Sequence, residues 1–219
     1  MSPILSIKNL KKSYFSSEKI EVLRGVSLEI FPQKTIAIMG SSGEGKTTLL
    51  HILAGLESFD EGLLVEGSGK NLPSISPEDR GMIFQSYNLL EDCTVLENLL
   101  FPARILRRDL SSYKERAFSL LQKVGLLDRK DSLAKILSGG EKQRIAICRA
   151  LLCSPKLILA DEPSGSLDHY NSTLIHQMLL KMVKEENKSL IVATHDMELA
   201  NLCDKKYQLK EGLLFPLNE

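Results

Sequence analysis

A glycine-rich segment at residues 40–47 (GSSGEGKT) constrains the fold of this chain more than any other feature. It fits the pattern G-x-x-x-x-G-K-[ST], with an apolar run at residues 35–39 before it and a helical pattern after it as far as Gly55. In that context, successive backbone N–H groups and the dipole of the helix converge on phosphate oxygens. The sequence therefore predicts a strand, a phosphate-binding loop and a helix that bind a nucleoside triphosphate.

The residues of this loop have separate expected tasks. Lys46 would reach the β and γ phosphates, and the Thr47 hydroxyl would be a ligand of Mg²⁺. Glu44 is unusual, because a carboxylate directed at a triphosphate would repel it, so we expect its side chain to face outward. The loop residues predicted to contact the nucleotide are Gly40, Ser41, Ser42, Gly43, Glu44, Gly45, Lys46, Thr47 and Thr48.

Apolar patterning predicts two kinds of strand. Continuous apolar runs at residues 35–39, 157–160 and 190–193 are typical of strands covered on both faces, as in a parallel sheet between helices. Alternating residues at 4–10 and 22–30 indicate half-exposed antiparallel strands. We therefore expect an α/β fold with a P-loop NTPase core, a mostly parallel sheet and an N-terminal antiparallel β subdomain.

The pattern turns helical between residues 85 and 137. Residues 94–97 (TVLE) have the spacing of a capping box, and the helix they begin is expected to end at Pro102. Ser111 or Ser112 is expected to cap a second helix. This stretch is predicted to be an α-helical subdomain inserted into the core.

Later patterns complete a single domain. Apolar residues at helical spacing predict a helix over residues 169–186, and residues 207–215 indicate a closing hairpin. His176, on that helix, has no partner that the sequence identifies, and we interpret it as structural. Residues 1–219 are thus expected to form one domain, with a core lobe at 1–85 and 137–219 and a helical lobe at about 86–136.

Two adjacent acids follow the second buried run. Asp161 and Glu162 stand at the edge where nucleotides bind in such sheets, and neighbours on an extended strand point to opposite sides. They are therefore not expected to share one task. Asp161 is expected to join Thr47 in the Mg²⁺ shell, and Glu162 is then free to orient or deprotonate the attacking water.

A second glycine-rich helix start, residues 138–141 (SGGE), precedes the acidic strand. Ser138 and Glu141 have the spacing of a capping box, which leaves the two glycines between them unexplained. Glycine weakens a helix interior by about 1 kcal/mol, yet bare backbone at a helix N-terminus suits close approach of an anion. The bound triphosphate already has its own loop, so the sequence favours an anion held by another subunit.

On these motifs the chain resembles an ATP-binding cassette (ABC) transporter ATPase over essentially its full length. The resemblance implies a homodimer with two shared ATP sites, in which Ser138 and Gly140 contact the γ phosphate bound to the partner subunit. It implies that Asp168 belongs to the loop that crosses the dimer seam. Gln85 would join the Mg²⁺ shell and link the site to the helical lobe, and His195 would contact the γ phosphate.

The remaining assignments also follow from this resemblance. Tyr14 resembles the aromatic residue that stacks on adenine, a comparison supported by its distance from the phosphate loop. The catalytic groups would be Glu162, His195 and Lys46, acting on ATP with Mg²⁺.

Within the family, residues 84–90 (FQSYNLL), 94–98 (TVLEN) and 193–200 (ATHDMELA) resemble the branch that serves lipoprotein release, macrolide export and the cell-division permease pair. The likeness to the lipoprotein-releasing ATPase is the strongest. It implies two integral-membrane permease subunits docked on the helical lobe, and a peripheral location at the cytoplasmic face of the inner membrane.

The chain departs from that branch at three places, none of which removes a catalytic group. Ser164-Gly-Ser166 stands where Thr-Gly-Asn is common, Glu44 stands where Ser is usual, and residues 62–80 are shorter than usual. We therefore expect ATPase activity, and the departures bear only on the identity of the client.

Composition limits the classes of partner that this chain is expected to bind. The 28 Lys and Arg residues balance the 28 Asp and Glu residues, which argues mildly against broad binding to nucleic acid or anionic lipid. No run approaches the roughly 20 apolar residues that cross a bilayer, and no secretion signal is visible. We expect no transmembrane segment and no nucleic-acid partner.

Three alternatives carry different weight. A simple phosphate-loop kinase has no use for the glycines of residues 138–141, and a DNA-maintenance ATPase of this family carries a coiled coil or zinc insertion that residues 56–136 lack. A cell-division-type ATPase that signals through its permease without transport shares every motif, and it stays open.

Overall fold

Two β-sheets carry the architecture of the computed structural model, which describes residues 2–15, 18–67 and 79–217. The strands are β1 (Leu5–Phe15), β2 (Lys19–Ile30), β3 (Thr35–Met39), β4 (Glu61–Glu66), β5 (Arg80–Ile83), β6 (Leu157–Asp161), β7 (Ser189–Ala193), β8 (Lys205–Lys210) and β9 (Leu213–Pro216). The helices are α1 (Lys46–Ala54), α2 (Val95–Ile105), α3 (Leu110–Lys123), α4 (Gly139–Leu151), α5 (His169–Glu185) and α6 (Met197–Asn201).

The larger sheet has the order β5-β6-β7-β3-β8-β9, parallel except for the final β8–β9 hairpin. Every residue of β6 and β7 is buried, as their continuous apolar runs predict. Successive side chains of each strand enter two separate cores. Ile36 and Ile38 pack with α1 on one face, while Ala37 and Met39 pack with the helices on the other.

The smaller sheet, β2-β1-β4, is antiparallel and shares the core of α1. Alternating burial along β2 confirms the predicted half-exposed strand, although β1 continues to Phe15 and β2 begins at Lys19, beyond the alternating stretches. Strand β4 was not predicted, because its short segment acquires strand character by pairing with β1. The α/β fold class, with a mostly parallel and a separate antiparallel sheet, is confirmed.

The helical stretch corrects two predictions. Helix α2 begins with the predicted capping box at Thr94, but it continues past Pro102 to Ile105. Leu99 and Ala103 are buried on one face of this helix. The stabilisation from that burial outweighs the loss of the hydrogen bond that proline cannot make. Helix α3 is capped by Asp109, whose carboxylate accepts the Ser111 N–H at 3.0 Å, and not by either serine.

The sheet edge determines where chemistry can occur. Strands β5, β6, β7 and β3 are adjacent and parallel, so their carboxyl ends lie together. The loops that follow them carry Gln85, Glu162, His195 and the segment 40–45. Part of the shortened 62–80 stretch, residues 68–78, lies outside the described residues. Within the described ranges, no helix combines the length and apolar character needed to cross a membrane.

Candidate active site

A cavity of about 580 Å³ opens at this sheet edge. It brings together residues from four loops that are distant in sequence, and it confirms that the predicted strand ends converge. Its lining consists of Val22, Gly40, Ser41, Ser42, Gly43, Gly45, Lys46, Thr47, Thr48, Gln85, Asp161, Glu162 and His195.

The glycine-rich loop bends in a way that only glycine permits. Gly43 and Gly45 have φ values of 86° and 97°, and a Cβ on Gly45 would lie 2.7 Å from Val22 Cγ1. Helix α1 has no side-chain cap, so the N–H groups of its first turn remain available to an anion. Lys46 Nζ donates to the carbonyls of Gly40 at 2.7 Å and Ser41 at 3.1 Å, which holds the ammonium over the loop.

Glu44 is the loop residue that does not line the cavity. Its carboxylate accepts the N–H of Glu211, in the turn between β8 and β9, at 2.8 Å. The side chain therefore faces away from the phosphate position, as electrostatic repulsion predicts.

Asp161 is the buried acid of the pair, only 7% exposed at the end of β6. Burial raises the pKa of its carboxyl above the usual range, and a hydrogen bond from Thr47 and the charge of Lys46 act in the opposite direction. Its carboxylate, the Thr47 hydroxyl and the Gln85 amide supply the hard oxygen ligands that Mg²⁺ prefers. The donor set at this position therefore fits a magnesium ion.

Glu162 leaves the strand rather than continuing it. Its φ of 43° lies in the left-handed region, so the two acids separate because the backbone turns, not because an extended strand alternates. Glu162 Oε1 accepts a hydrogen bond from His195 Nδ1 at 2.9 Å, and Oε2 accepts from Thr194 Oγ1 at 3.3 Å. The carboxylate is thus fixed beside the imidazole, and both groups face the cavity.

Gln85 connects the cavity to the loop that follows Glu162. Its carbonyl accepts from Ser166 Oγ at 3.5 Å, and Gly165 lies so near that a Cβ there would be 3.1 Å from Gln85 Nε2. Arg149 of α4 donates to the carbonyl of Tyr87 at 2.7 Å, which ties the residues after Gln85 to the glycine-rich helix.

Besides Glu44, four of the predicted residues do not line the cavity: Tyr14, Ser138, Gly140 and Asp168. Tyr14 is on β1, where Lys12 Nζ lies 5.0 Å from its ring centroid. Asp168 caps α5 by accepting the Asn171 N–H at 3.0 Å. Ser138 caps α4 in the predicted capping box with Glu141.

The two glycines at the start of α4 differ in how much space surrounds them. A Cβ on Gly139 would lie 2.9 Å from Tyr87 Oη, so packing within the chain explains that glycine. A Cβ on Gly140 would meet nothing nearer than 3.8 Å. No contact among the described residues therefore demands glycine at position 140.

Sequence reasoning missed two groups near the site. Val22 of β2 lines the cavity, and His176 contacts Ser164 with its ring nitrogen at 2.6 Å. Both depend on residues brought together over long separations, and the only local signal was the apolar helical face on which His176 stands.

Known proteins resemble this chain over nearly its whole length. A family model described as ABC transporter matches residues 23–165. The lipoprotein-releasing system ATP-binding protein LolD of Protochlamydia amoebophila is 44% identical, over 97% of this chain and 96% of that relative. The protein of the same name in Treponema denticola is 42% identical, over 96% and 97%.

Solved structures of an ABC transporter cassette also resemble this chain. A dimeric structure of MJ0796, a bacterial ABC transporter cassette, superposes with a TM-score of 0.85 at 32% identity and covers 98% of this chain and 99% of that one. A dimeric post-hydrolysis state of that cassette, bound to ADP and Pi, superposes with a TM-score of 0.83 at 30% identity, with the same coverage.

Proposed function

This chain belongs to the ABC transporter family, and we propose that it drives lipoprotein release through permease subunits in the membrane. It is an ABC ATPase, which binds and hydrolyses ATP. Support for lipoprotein as the client comes from the two relatives named as lipoprotein-releasing ATP-binding proteins. They are 44% and 42% identical over 97% and 96% of this chain.

The observation that carries the catalytic assignment is the convergence of Lys46, Asp161, Glu162 and His195 on one cavity. The first-turn amides of α1 and the Lys46 ammonium are the groups that would bind the β and γ phosphates. The short Glu162–His195 contact supports a base and an imidazole that act as one unit.

Mg²⁺ is the proposed cofactor, held by Thr47, Asp161 and Gln85. When bound, it neutralises charge that develops on the phosphate oxygens. Asp161 is suited to this task because burial destabilises its charged carboxylate, and a neighbouring cation would offset that cost.

Glu162 and His195 would act on the attacking water and the γ phosphate. The Glu162 carboxylate accepts three hydrogen bonds, from His195 Nδ1, the His195 N–H and Thr194 Oγ1, so a remaining lone pair can orient or deprotonate a water with little loss of position. His195 donates through Nδ1, and Nε2 of this exposed ring would donate to the γ phosphate when it also carries a proton.

A homodimer with shared ATP sites explains the residues outside the cavity. The related cassette MJ0796 is dimeric in both of these solved structures. No described atom lies nearer than 3.8 Å to the position of a Cβ on Gly140, which leaves the space that a partner's γ phosphate would require. We propose that Ser138 and Gly140 serve the partner's nucleotide, that Asp168 lies at the seam, and that Tyr14 stacks on adenine.

Permease docking is proposed for the helical lobe, taken as residues 86–136. A groove of about 300 Å³ separates this lobe from the core and is lined by Phe101, Pro102, Ile105 and Arg149, among others. Phe101 and Ile105 are exposed apolar side chains on α2, which suits a partner helix. Through such a partner the chain would sit at the cytoplasmic face of the inner membrane.

Reconstitution tests this function directly. The full chain and its permease partner, in proteoliposomes loaded with a triacylated lipoprotein, should release the lipoprotein only when MgATP is present. The Glu162→Gln variant is the matched control, because it should assemble normally and release none. ATP hydrolysis without any release would instead indicate the signalling type of ATPase.

A further inference from the structure

His176 is a buried polar group that the proposed reaction does not use. It lies on α5 with 1% of its surface exposed. Its Nε2 is 2.6 Å from Ser164 Oγ, and Ser164 is itself buried two residues after Glu162. Burial of an imidazole is costly unless its nitrogens are hydrogen-bonded, so this contact stabilises one specific position of Ser164.

Ser164 is the anchor of the loop that begins with Glu162. Its carbonyl accepts the Leu167 N–H at 3.0 Å and Ser172 Oγ at 3.4 Å. One residue on, the Gly165 N–H donates to the Glu162 carbonyl at 3.0 Å. Ser164 therefore lies inside the hydrogen-bonded turn that begins at Glu162, whose φ is left-handed.

We propose that His176 is a positioning residue for ATP hydrolysis, which holds the Glu162 turn and the following loop through its hydrogen bond to Ser164. This inference rests on the proposed role of Glu162. It assigns a task to Ser164, one of the positions where the chain departs from the pattern of its branch.

The surroundings select the tautomer that can do this. His176 Nδ1 is buried and has no hydrogen-bond partner among the described residues. With its proton on Nε2, the ring donates to Ser164 Oγ and leaves only a lone pair unpaired at Nδ1. A cationic ring would bury an unpaired N–H as well, and burial accordingly lowers the pKa of His176.

Charged groups on two helices also face the ring. Asp196 Oδ2, at the start of α6, lies 3.9 Å from His176 Nε2, and Glu198 adds a second negative charge. His169, on α5 itself, acts in the opposite direction. The acids favour a proton on the nitrogen that faces Ser164.

The same network reaches the second catalytic loop. Thr194 Oγ1 accepts the Asp196 N–H at 3.0 Å and donates to Glu162 Oε2 at 3.3 Å. The imidazole of His176 therefore lies between the two loops that carry Glu162 and His195. Loss of its hydrogen bond should lower kcat while leaving the KM for MgATP nearly unchanged, because the phosphate loop is not involved.

Four variants of the full chain test the link by steady-state ATP hydrolysis. His176→Phe keeps the ring volume but removes the donor, whereas His176→Gln places an amide N–H near the position of Nε2. Ser164→Ala removes the acceptor, whereas Ser164→Thr keeps it. We expect His176→Phe and Ser164→Ala each to lower kcat by about fivefold to tenfold, with KM changed less than about twofold.

The double variant and the conservative variants decide the outcome. His176→Phe with Ser164→Ala should be no slower than either alone, and His176→Gln and Ser164→Thr should restore most of kcat. Ser189→Ala is the matched control, because it removes another buried hydroxyl, bonded to the Phe31 carbonyl at the opposite end of the sheet. It should leave kcat unchanged.

Additive losses, or equal rates for His176→Phe and His176→Gln, would overturn the inference. If His176→Phe does not fold, the difference between Ser164→Ala and Ser164→Thr decides it alone. Failure here is distinguishable from failure of the catalytic assignment. If only the role of His176 is wrong, Glu162→Gln is inactive and the His176 variants match the parent. If the catalytic assignment is wrong, Glu162→Gln itself retains turnover.

Discussion

Two adjacent carboxylates, Asp161 and Glu162, occupy opposite environments in this protein. Asp161 is buried against the phosphate loop, where burial raises the pKa of its carboxyl. Glu162 turns away in a left-handed conformation and bonds to His195. The order of the two acids was predictable from the sequence, since a buried strand ends there. The partner of Glu162 and its backbone turn were not, because they depend on residues 33 positions away.

Replacing Glu162 by Gln separates binding from chemistry. The amide keeps the shape of the side chain but cannot accept a proton, so turnover should fall at least about a hundredfold. Affinity for MgATP should change less than about threefold, because phosphate binding rests on residues 40–48. Equilibrium binding of a fluorescent ATP analogue and single-turnover hydrolysis measure the two effects. Near-normal turnover would remove Glu162 from the role of base.

Replacing Asp161 by Asn tests the metal site through stability. Because burial raises the pKa of Asp161, the folded state binds a proton more tightly than the unfolded state does. The free energy of unfolding therefore falls as pH rises from the unfolded pKa, about 3.9, through the folded one. Without ligand, Asn should remove that slope and leave stability at pH 7 unchanged or higher.

The same variant should lose the stabilisation that MgATP provides. At a concentration a hundredfold above Kd, MgATP should add about 2.7 kcal/mol to the unfolding free energy of the parent. Urea titrations at pH 5 and pH 8, with and without MgATP, measure both effects. Retention of the full Mg²⁺-dependent gain in Asp161→Asn would exclude Asp161 as a ligand.

At the scale of elements, local signals and tertiary packing contribute differently. The capping boxes at Thr94 and Ser138 and the three continuous apolar runs were predictable, since each depends on residues within one turn or one strand. The continuation of α2 past Pro102 was not, because it depends on burial of one helix face against other elements. The Ser164–His176 contact was missed for the same reason.

The cap of α3 offers a test at this scale. Asp109→Ala removes the side chain that accepts the Ser111 N–H, and it should lower the free energy of unfolding by about 1 kcal/mol. Ser112→Ala is the matched control, because Ser112 is one of the two serines that the sequence predicts as the cap. It should cost less than about 0.5 kcal/mol. A larger loss for Ser112→Ala than for Asp109→Ala in urea unfolding would contradict the observed cap.

For the whole molecule, the central proposal is an active site that two subunits share. One sheet edge gathers the phosphate loop, the proposed metal ligands, the proposed base and His195 around a single cavity. Ser138 and Gly140 lie outside it, at the start of a helix whose second glycine is not required by any contact in the described part of the chain. A second subunit that supplies this helix start to the cavity accounts for both observations.

Gly140→Ala tests that division most directly, because its effects on stability and on assembly should have opposite signs. Alanine favours the helix, so the free energy of unfolding should stay the same or rise by up to about 1 kcal/mol, and the melting temperature should not fall. Gly139→Ala offers a contrast, since its Cβ would press on Tyr87 and should lower stability.

The decisive measurement is ATP-dependent dimerisation by analytical ultracentrifugation, in the Glu162→Gln background that retains bound ATP. The parent Glu162→Gln chain should form a dimer with ATP and dissociate when ATP is removed. With Gly140→Ala added, the chain should melt no lower yet remain a monomer at the same ATP and protein concentrations. A Gly140→Ala chain that dimerises as tightly as its parent would contradict the shared site.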